Sequence, residues 1–206
     1  MGLISTLGKI IRLKDYDRPE KGPCGKGLHA SRNPNDCFIG AKIPCRAFRV
    51  KGIDKIAGDN QKSRYQALKV IEEVHDLDAL FGWNYTEACN PINPFQIKPP
   101  VITETHIQWL REWASVRDSV RASVWASVWD SVRAYVRASV RASVGAYVGS
   151  LFPGIKKWKY VKHEVGVYPF QSAVNLWRVG LVPFTDGKIW QLHGGPKVSI
   201  LWKGKL

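Results

Sequence analysis

Forty consecutive residues of this 206-residue chain repeat with a period of four. Ten tetrads run from Trp113 to Phe152; nine end in valine, and each begins with tryptophan, arginine or glycine. A fixed short period makes each repeat one structural unit that contacts mainly its neighbours. Such a unit cannot bury its own apolar column. We therefore expect the array to pack on the flanking parts of the chain or on a second copy of the protein.

Two architectures fit the array. Thr103 or Thr105 is placed to cap a helix, and neither glycine nor proline interrupts residues 102–144. On a helix, a four-residue period advances about 40° per tetrad, so the valine stripe winds around the axis over a length of about 60 Å. The alternation of small or apolar with polar residues also suits a β-solenoid. We favour the long helix and keep the β-solenoid as the alternative.

Four prolines between residues 90 and 100 exclude a helix or a central strand there and indicate a boundary. The chain is therefore predicted to have α+β architecture in three parts. Residues 1–100 form an α/β unit, residues 101–152 the repeat spacer, and residues 153–206 a small basic α+β unit. No stretch is long and apolar enough for a transmembrane helix, and we expect that residues 1–13, with Lys9 and Arg12, are not a secretory signal.

Local patterns predict the elements of the two flanking units. In the first unit, strands are expected at residues 9–13 and 45–50, and a helix at residues 63–74 with Ser63 as its N-cap. The helix rests on apolar residues that recur at three-residue spacing. In the last unit, a helix at residues 169–178 is expected to end at Gly180. Two strands, 188–192 and 198–202, follow a turn at residues 185–187.

The charge of the chain is strongly positive and unevenly distributed. The net charge is +14, and residues 153–206 hold 9 basic and 2 acidic side chains. Positive fields favour polyanions such as nucleic acid. Cations stand beside aromatic rings, a combination that pairs phosphate contacts with base stacking. The nucleic-acid-binding candidates are Arg117, Arg121, Arg133, Arg137, Arg141, Lys156, Lys157, Trp158, Lys159 and Lys162. The alternative is that the tryptophans are core residues and the lysines only promote solubility.

Signals for metal or enzyme chemistry are weak. The four cysteines, Cys24, Cys37, Cys45 and Cys89, form no C-x-x-C knuckle, and the five histidines lack ligand spacing. Nucleophile-elbow, P-loop and zinc-protease motifs do not occur. We expect reduced thiols in a cytoplasmic protein, and no metal, cofactor or membrane partner.

The string Gly25-Lys26-Gly27-Leu28-His29-Ala30-Ser31 resembles an uncharacterised domain family of phage and bacterial proteins with a Gly-Leu/Phe-His-Ala motif. In that family a repetitive segment commonly follows the motif domain, as the tetrad array does here. Residues 80–85, 180–183 and 190–194 likewise look like phage proteins with such arrays. The resemblance implies a genomic setting and brings no established activity.

The same string, followed by a strand that begins Cys45-Arg46, is also similar to the Gly-x-Gly-x-Tyr stretch of poly-ADP-ribose-polymerase-like transferases. In those enzymes an aromatic residue stacks on the nicotinamide of NAD. His29 stands where the tyrosine would be, and the chain lacks both an upstream His-Gly pair and a well-placed glutamate. His29 is therefore a catalytic candidate only under this alternative.

These observations predict a non-enzymatic, basic binding protein of phage or mobile-element type. Its partner would be nucleic acid or an acidic protein, and the repeat would support homo-oligomers. The alternatives are an NAD-dependent ADP-ribosyltransferase-like enzyme and a purely structural, oligomerising repeat protein.

Overall fold

The computed structural model describes residues 7–128 and 141–206, without the side chains of residues 39, 121–128 and 141. The chain divides into two compact units, residues 1–81 and 82–206. The sequence predicted this boundary near residue 100. Mixed α+β architecture is confirmed, with one antiparallel sheet in each unit.

The first unit is built on a sheet whose central strand is β4. Its strands are β1 (Ile10–Arg12), β2 (Leu28–Ala30), β3 (Ala47–Gly58) and β4 (Ser63–Val74). The short helix α1 (Leu77–Phe81) follows, and 3₁₀ turns lie at Pro19–Cys24 and Pro34–Ile39. β4 pairs antiparallel with β3 along one edge and with both β1 and β2 along the other. The predicted strands at 9–13 and 45–50 correspond to β1 and the start of β3.

The helix predicted at residues 63–74 is wrong, because this segment is strand β4. Asp59 closes a hairpin: its backbone N–H donates to the Lys62 carbonyl at 2.9 Å, and its Oδ1 accepts from the Lys62 N–H at 2.8 Å. The three-residue spacing was misleading, since Ile71 on the supposed apolar face is exposed. Pairing with a twelve-residue partner strand outweighs the local pattern.

The second unit packs helices against a three-stranded meander. Its helices are α2 (Tyr85–Cys89), α3 (Glu104–Val128), α4 (Arg141–Ser150) and α5 (Gln171–Arg178), with a 3₁₀ turn at Pro94–Gln96. Its strands are β5 (Val182–Thr185), β6 (Trp190–Gly194) and β7 (Ser199–Gly204), in that spatial order. The predicted helix at 169–178 and both strands are confirmed, and Gly180 has the positive φ of +81° expected after a helix.

The tetrad array supplies helices to the core of this unit. Its residues 113–128 and 141–150 are helical, in α3 and α4, and no strand lies among its described residues; residues 129–140 lie outside the described part. α3 and α4 pack against each other, so the array is not one straight helix. Trp113 and Val120 are buried with Ala146 of α4, whereas Val116 is only partly buried. A four-residue period rotates about 40° per repeat, so one valine stripe cannot stay inside.

Residues 82–97 belong to the second unit because polar contacts fasten them to α4 and α5. The Glu87 carboxylate accepts from the Tyr147 hydroxyl at 2.8 Å and from Arg178 at 2.7 and 2.8 Å. The Tyr147 oxygen also accepts from the Ile92 N–H at 3.0 Å, and the Trp177 indole donates to the Ile92 carbonyl at 3.0 Å. In the part of the chain that the structure describes, no helix is long and apolar enough to cross a membrane.

Candidate functional site

The glycine-rich string of the first unit lies over a buried arginine. Arg64 of β4 has no exposed surface, and its guanidinium donates to the carbonyl oxygens of Asp17 and Lys26 at 2.8 Å and of Arg18 at 2.9 Å. A Cβ at Gly25 or Gly27 would lie 2.6 or 2.4 Å from Arg64 side-chain atoms. The two glycines therefore let the loop close on Arg64, whose side chain fills the space beneath them.

His29 anchors the same string. It lies on β2 directly opposite Arg64, and its Nε2 is 3.0 Å from the Pro23 carbonyl oxygen, to which it donates. The ring is exposed. Among the described residues, no three His, Cys, Asp or Glu side chains are grouped so that they could hold a metal ion. What the structure assigns to His29 is this hydrogen bond between β2 and the turn before it.

The lysine-rich segment of the second unit forms a compact loop fixed by an inward tryptophan. Trp158 is 2% exposed, and its ring meets those of Tyr168 and Phe170 edge-on at 5.1 and 6.3 Å. Its backbone N–H donates to Nε2 of His163 at 2.9 Å, and Nδ1 of that ring donates to the Glu164 carbonyl at 2.7 Å. These contacts define the path of the loop.

The lysines of this loop point away from the core. Lys156, Lys157, Lys159 and Lys162 are all exposed, whereas Trp158 and Val161 pack inward. We call residues 156–162 the lysine loop. Between residues 153 and 185 the sequence contains one acidic residue, Glu164. The loop thus presents four exposed lysines within seven residues, and the Lys156 ammonium donates to the Pro153 carbonyl oxygen at 2.7 Å.

One of the predicted contacts needs correction. The stacking role assigned to Trp158 is not available, because both faces of a core ring are covered by neighbouring side chains. The exposed ring of the lysine loop is Tyr160, at 69% exposure. The composition of the segment does not separate the two aromatics. The signal that does so is the three-residue spacing of Trp158 and Val161, which places both inside and the residues between them outside.

The arginines of the array are not gathered with the lysines by any described contact. The Arg117 guanidinium lies 5.6 Å from the centre of the Trp190 ring and 3.0 Å from the Asp118 carboxylate. This arginine is therefore engaged within the second unit. The side chains of Arg121, Arg133, Arg137 and Arg141 lie outside the described residues.

Comparison of the chain with family models, with curated proteins and with solved structures found no match.

Proposed function

We propose that the protein binds nucleic acid through the lysine loop. The observation that carries the proposal is the division of side chains along residues 156–162. The apolar ones, Trp158 and Val161, fasten the loop to the core, and the four lysines and Tyr160 are exposed.

The charge of this surface suits a phosphate backbone. Seven residues span at most about 25 Å, a length over which one strand presents about seven phosphates at 3.4 Å each. Lysine ammonium groups bind phosphates as point charges and do not read bases. Binding through the loop is therefore expected to depend strongly on salt and weakly on sequence.

An acidic protein is the other partner that the charge admits. Tyr160 favours nucleic acid, because an exposed ring beside cations offers base stacking in addition to phosphate contacts.

We also propose that the protein works in a reducing cytosol, since no disulfide joins its four cysteines, all of which lie in the described part.

A salt titration tests the proposal. Binding to single- and double-stranded DNA and RNA is measured by fluorescence anisotropy for the wild type and for a loop variant, Lys156→Ala/Lys157→Ala/Lys159→Ala. If all four lysines contact phosphates, the log–log slope is about −3 on single strands and about −4 on duplex. In the loop variant the slope flattens by about 2 to 3.

The matched control carries the same loss of charge elsewhere in the second unit. Lys188, Lys197 and Lys205 are exposed and lie outside the lysine loop. The Lys188→Ala/Lys197→Ala/Lys205→Ala variant is expected to keep the wild-type slope, and both variants are checked for unchanged melting temperature. Absence of binding at about 50 mM salt, or equal losses in the two variants, contradicts the proposal.

A further inference from the structure

Tyr160 is held outward in a backbone conformation that a bulky residue rarely adopts. Its φ is +62°, in the left-handed region, and it belongs to the turn between the inward residues Trp158 and Val161. Turns that need positive φ usually place glycine or asparagine there, because a Cβ is strained in this region. The chain instead places a large aromatic ring at this position and leaves it 69% exposed.

The Tyr160 side chain belongs to neither hydrophobic cluster of the described residues. No described hydrogen bond or ring contact involves the Tyr160 side chain, and an exposed ring gains little from burial. Strained residues that serve no packing role cluster at binding sites, where the surrounding structure maintains them. Here the surrounding structure is the buried Trp158 ring, together with the hydrogen bond from the Trp158 backbone N–H to Nε2 of His163.

We propose that Tyr160 is a stacking platform for an unpaired base, so that the lysine loop prefers single-stranded nucleic acid. This inference rests on the proposed function of the loop. Lys159 precedes the ring directly, and Lys157 and Lys162 lie within three residues of it, so phosphates on either side of a stacked base meet cations. In a duplex the faces of the bases are already stacked on one another, and the ring has no face to contact.

An anionic membrane surface is the competing partner, because Val165 and Val167 are also exposed nearby in the sequence. Nucleic acid is favoured by the position of the ring. The residues adjacent to Tyr160 in the turn are a lysine and an inward valine. The ring therefore has no exposed apolar neighbour in the turn with which it could insert into a membrane.

The test uses the full chain and three labelled probes. They are a thymine oligonucleotide, an abasic oligonucleotide of the same length and phosphate count, and a duplex of that length. Anionic phospholipid vesicles serve as a fourth probe. For the wild type we expect the thymine strand to bind about 5- to 150-fold more tightly than the abasic strand, the range that stacking of one base supplies.

Four variants test whether the Tyr160 ring causes the difference in affinity between the thymine and abasic strands. Tyr160→Phe keeps the ratio, and Tyr160→Ala brings it to about one. Tyr160→Gly also loses the ratio, yet its melting temperature is equal to or above that of the wild type, because glycine relieves the strained φ. The matched control is Tyr16→Ala, which removes an exposed tyrosine of the first unit and leaves the ratio unchanged.

The outcomes separate this inference from the proposed function. Binding of the thymine and abasic strands with equal affinity overturns the stacking role and leaves the charge-based function intact. A Tyr160→Ala variant with the wild-type ratio overturns it as well. Absence of binding to every oligonucleotide overturns both, and tighter binding to the vesicles than to the thymine strand replaces nucleic acid with a membrane surface.

Discussion

Gly27 passes so close to Arg64 that a Cβ on the glycine would lie 2.4 Å from Cγ of the arginine. The conformation of the loop at Gly27 and the position of the Arg64 side chain therefore depend on each other. The loop closes only because Gly27 has no side chain, and the closed loop brings the carbonyl oxygens of Asp17, Arg18 and Lys26 within 2.9 Å of the guanidinium. A string that resembles a ligand-binding motif in sequence is thus explained by packing.

Gly27→Ala is expected to destabilise the protein by about 1–3 kcal/mol, the usual range for overpacking a filled site. The measurement is the free energy of unfolding from urea titration. Gly40→Ala is the matched control, because its Cβ would meet nothing within 4 Å and its φ is −130°.

A double variant with Arg64→Ala tests the cause, because alanine lacks the Cγ and Cδ atoms that a Cβ on residue 27 would meet. Arg64→Ala alone is destabilising, since it empties a buried site and removes the guanidinium donor from three carbonyl oxygens. If the clash is the mechanism, adding Gly27→Ala to Arg64→Ala does less harm than adding it to the wild type. Equal effects of Gly27→Ala and Gly40→Ala would contradict the account.

The hydroxyl of Tyr147 is expected to stabilise the second unit through two bonds. It donates to Glu87 and accepts from the Ile92 N–H, and burial raises the pKa of the hydroxyl, so it remains a donor at neutral pH. Tyr147→Phe leaves the Ile92 N–H without its acceptor and removes one donor from Glu87, which keeps Arg178, so the free energy of unfolding is expected to fall by about 1–3 kcal/mol. Thermal or urea unfolding measures the loss. A Tyr16→Phe control, at an exposed ring, is expected to have no effect.

Sequence patterns predicted the elements whose end signals are local. The helix before Gly180 and the turn before β6 were found this way, since glycine at positive φ and the Asp186 side chain act within a few residues of each end. Strand β4 was missed because its structure depends on pairing with β3. The turn-forming residues at 58–60, glycine, aspartate and asparagine, indicate a hairpin, whereas the three-residue spacing of apolar residues after them indicated a helix.

The candidate site was predicted only in part, for a related reason. The cluster of lysines could be found from the sequence, because charged residues can be counted without a structure. The exposure of a side chain cannot be counted in this way. Trp158 and Tyr160 are both aromatic residues of the same segment, yet Trp158 is in the core and Tyr160 is in solvent. Arg64 was also invisible, because burial of an arginine depends on three carbonyl oxygens from distant parts of the sequence.

Acidification is expected to weaken the start of α3 through His106. Its Nδ1 accepts from the Thr103 N–H at 3.0 Å, an arrangement like the capping box, and burial lowers the pKa of the ring. Because the folded-state pKa lies below the unfolded value of 6.5, the stabilising contribution is complete above about pH 6.5. It is lost as the pH falls toward and through the lowered folded-state value.

The measurement is the free energy of unfolding as a function of pH. His106→Gln keeps a capping acceptor at the same helical position but cannot titrate, so part of the decline in stability below pH 6.5 should disappear. His75→Gln, at an exposed histidine, is the control, and its stability should decline below pH 6.5 as much as that of the wild type. A His106→Gln profile that superimposes on the wild-type profile would show that this ring does not contribute.

The location of the nucleic-acid surface is tested most directly by cross-linking. The full chain is irradiated with a thymine oligonucleotide, and the linked peptides are identified by mass spectrometry. We predict cross-links within residues 155–168, centred on Tyr160 and lost in the Lys156→Ala/Lys157→Ala/Lys159→Ala variant. Cross-links confined to other parts of the chain, or retained at full yield in that variant, would contradict the claim that the lysine loop binds nucleic acid.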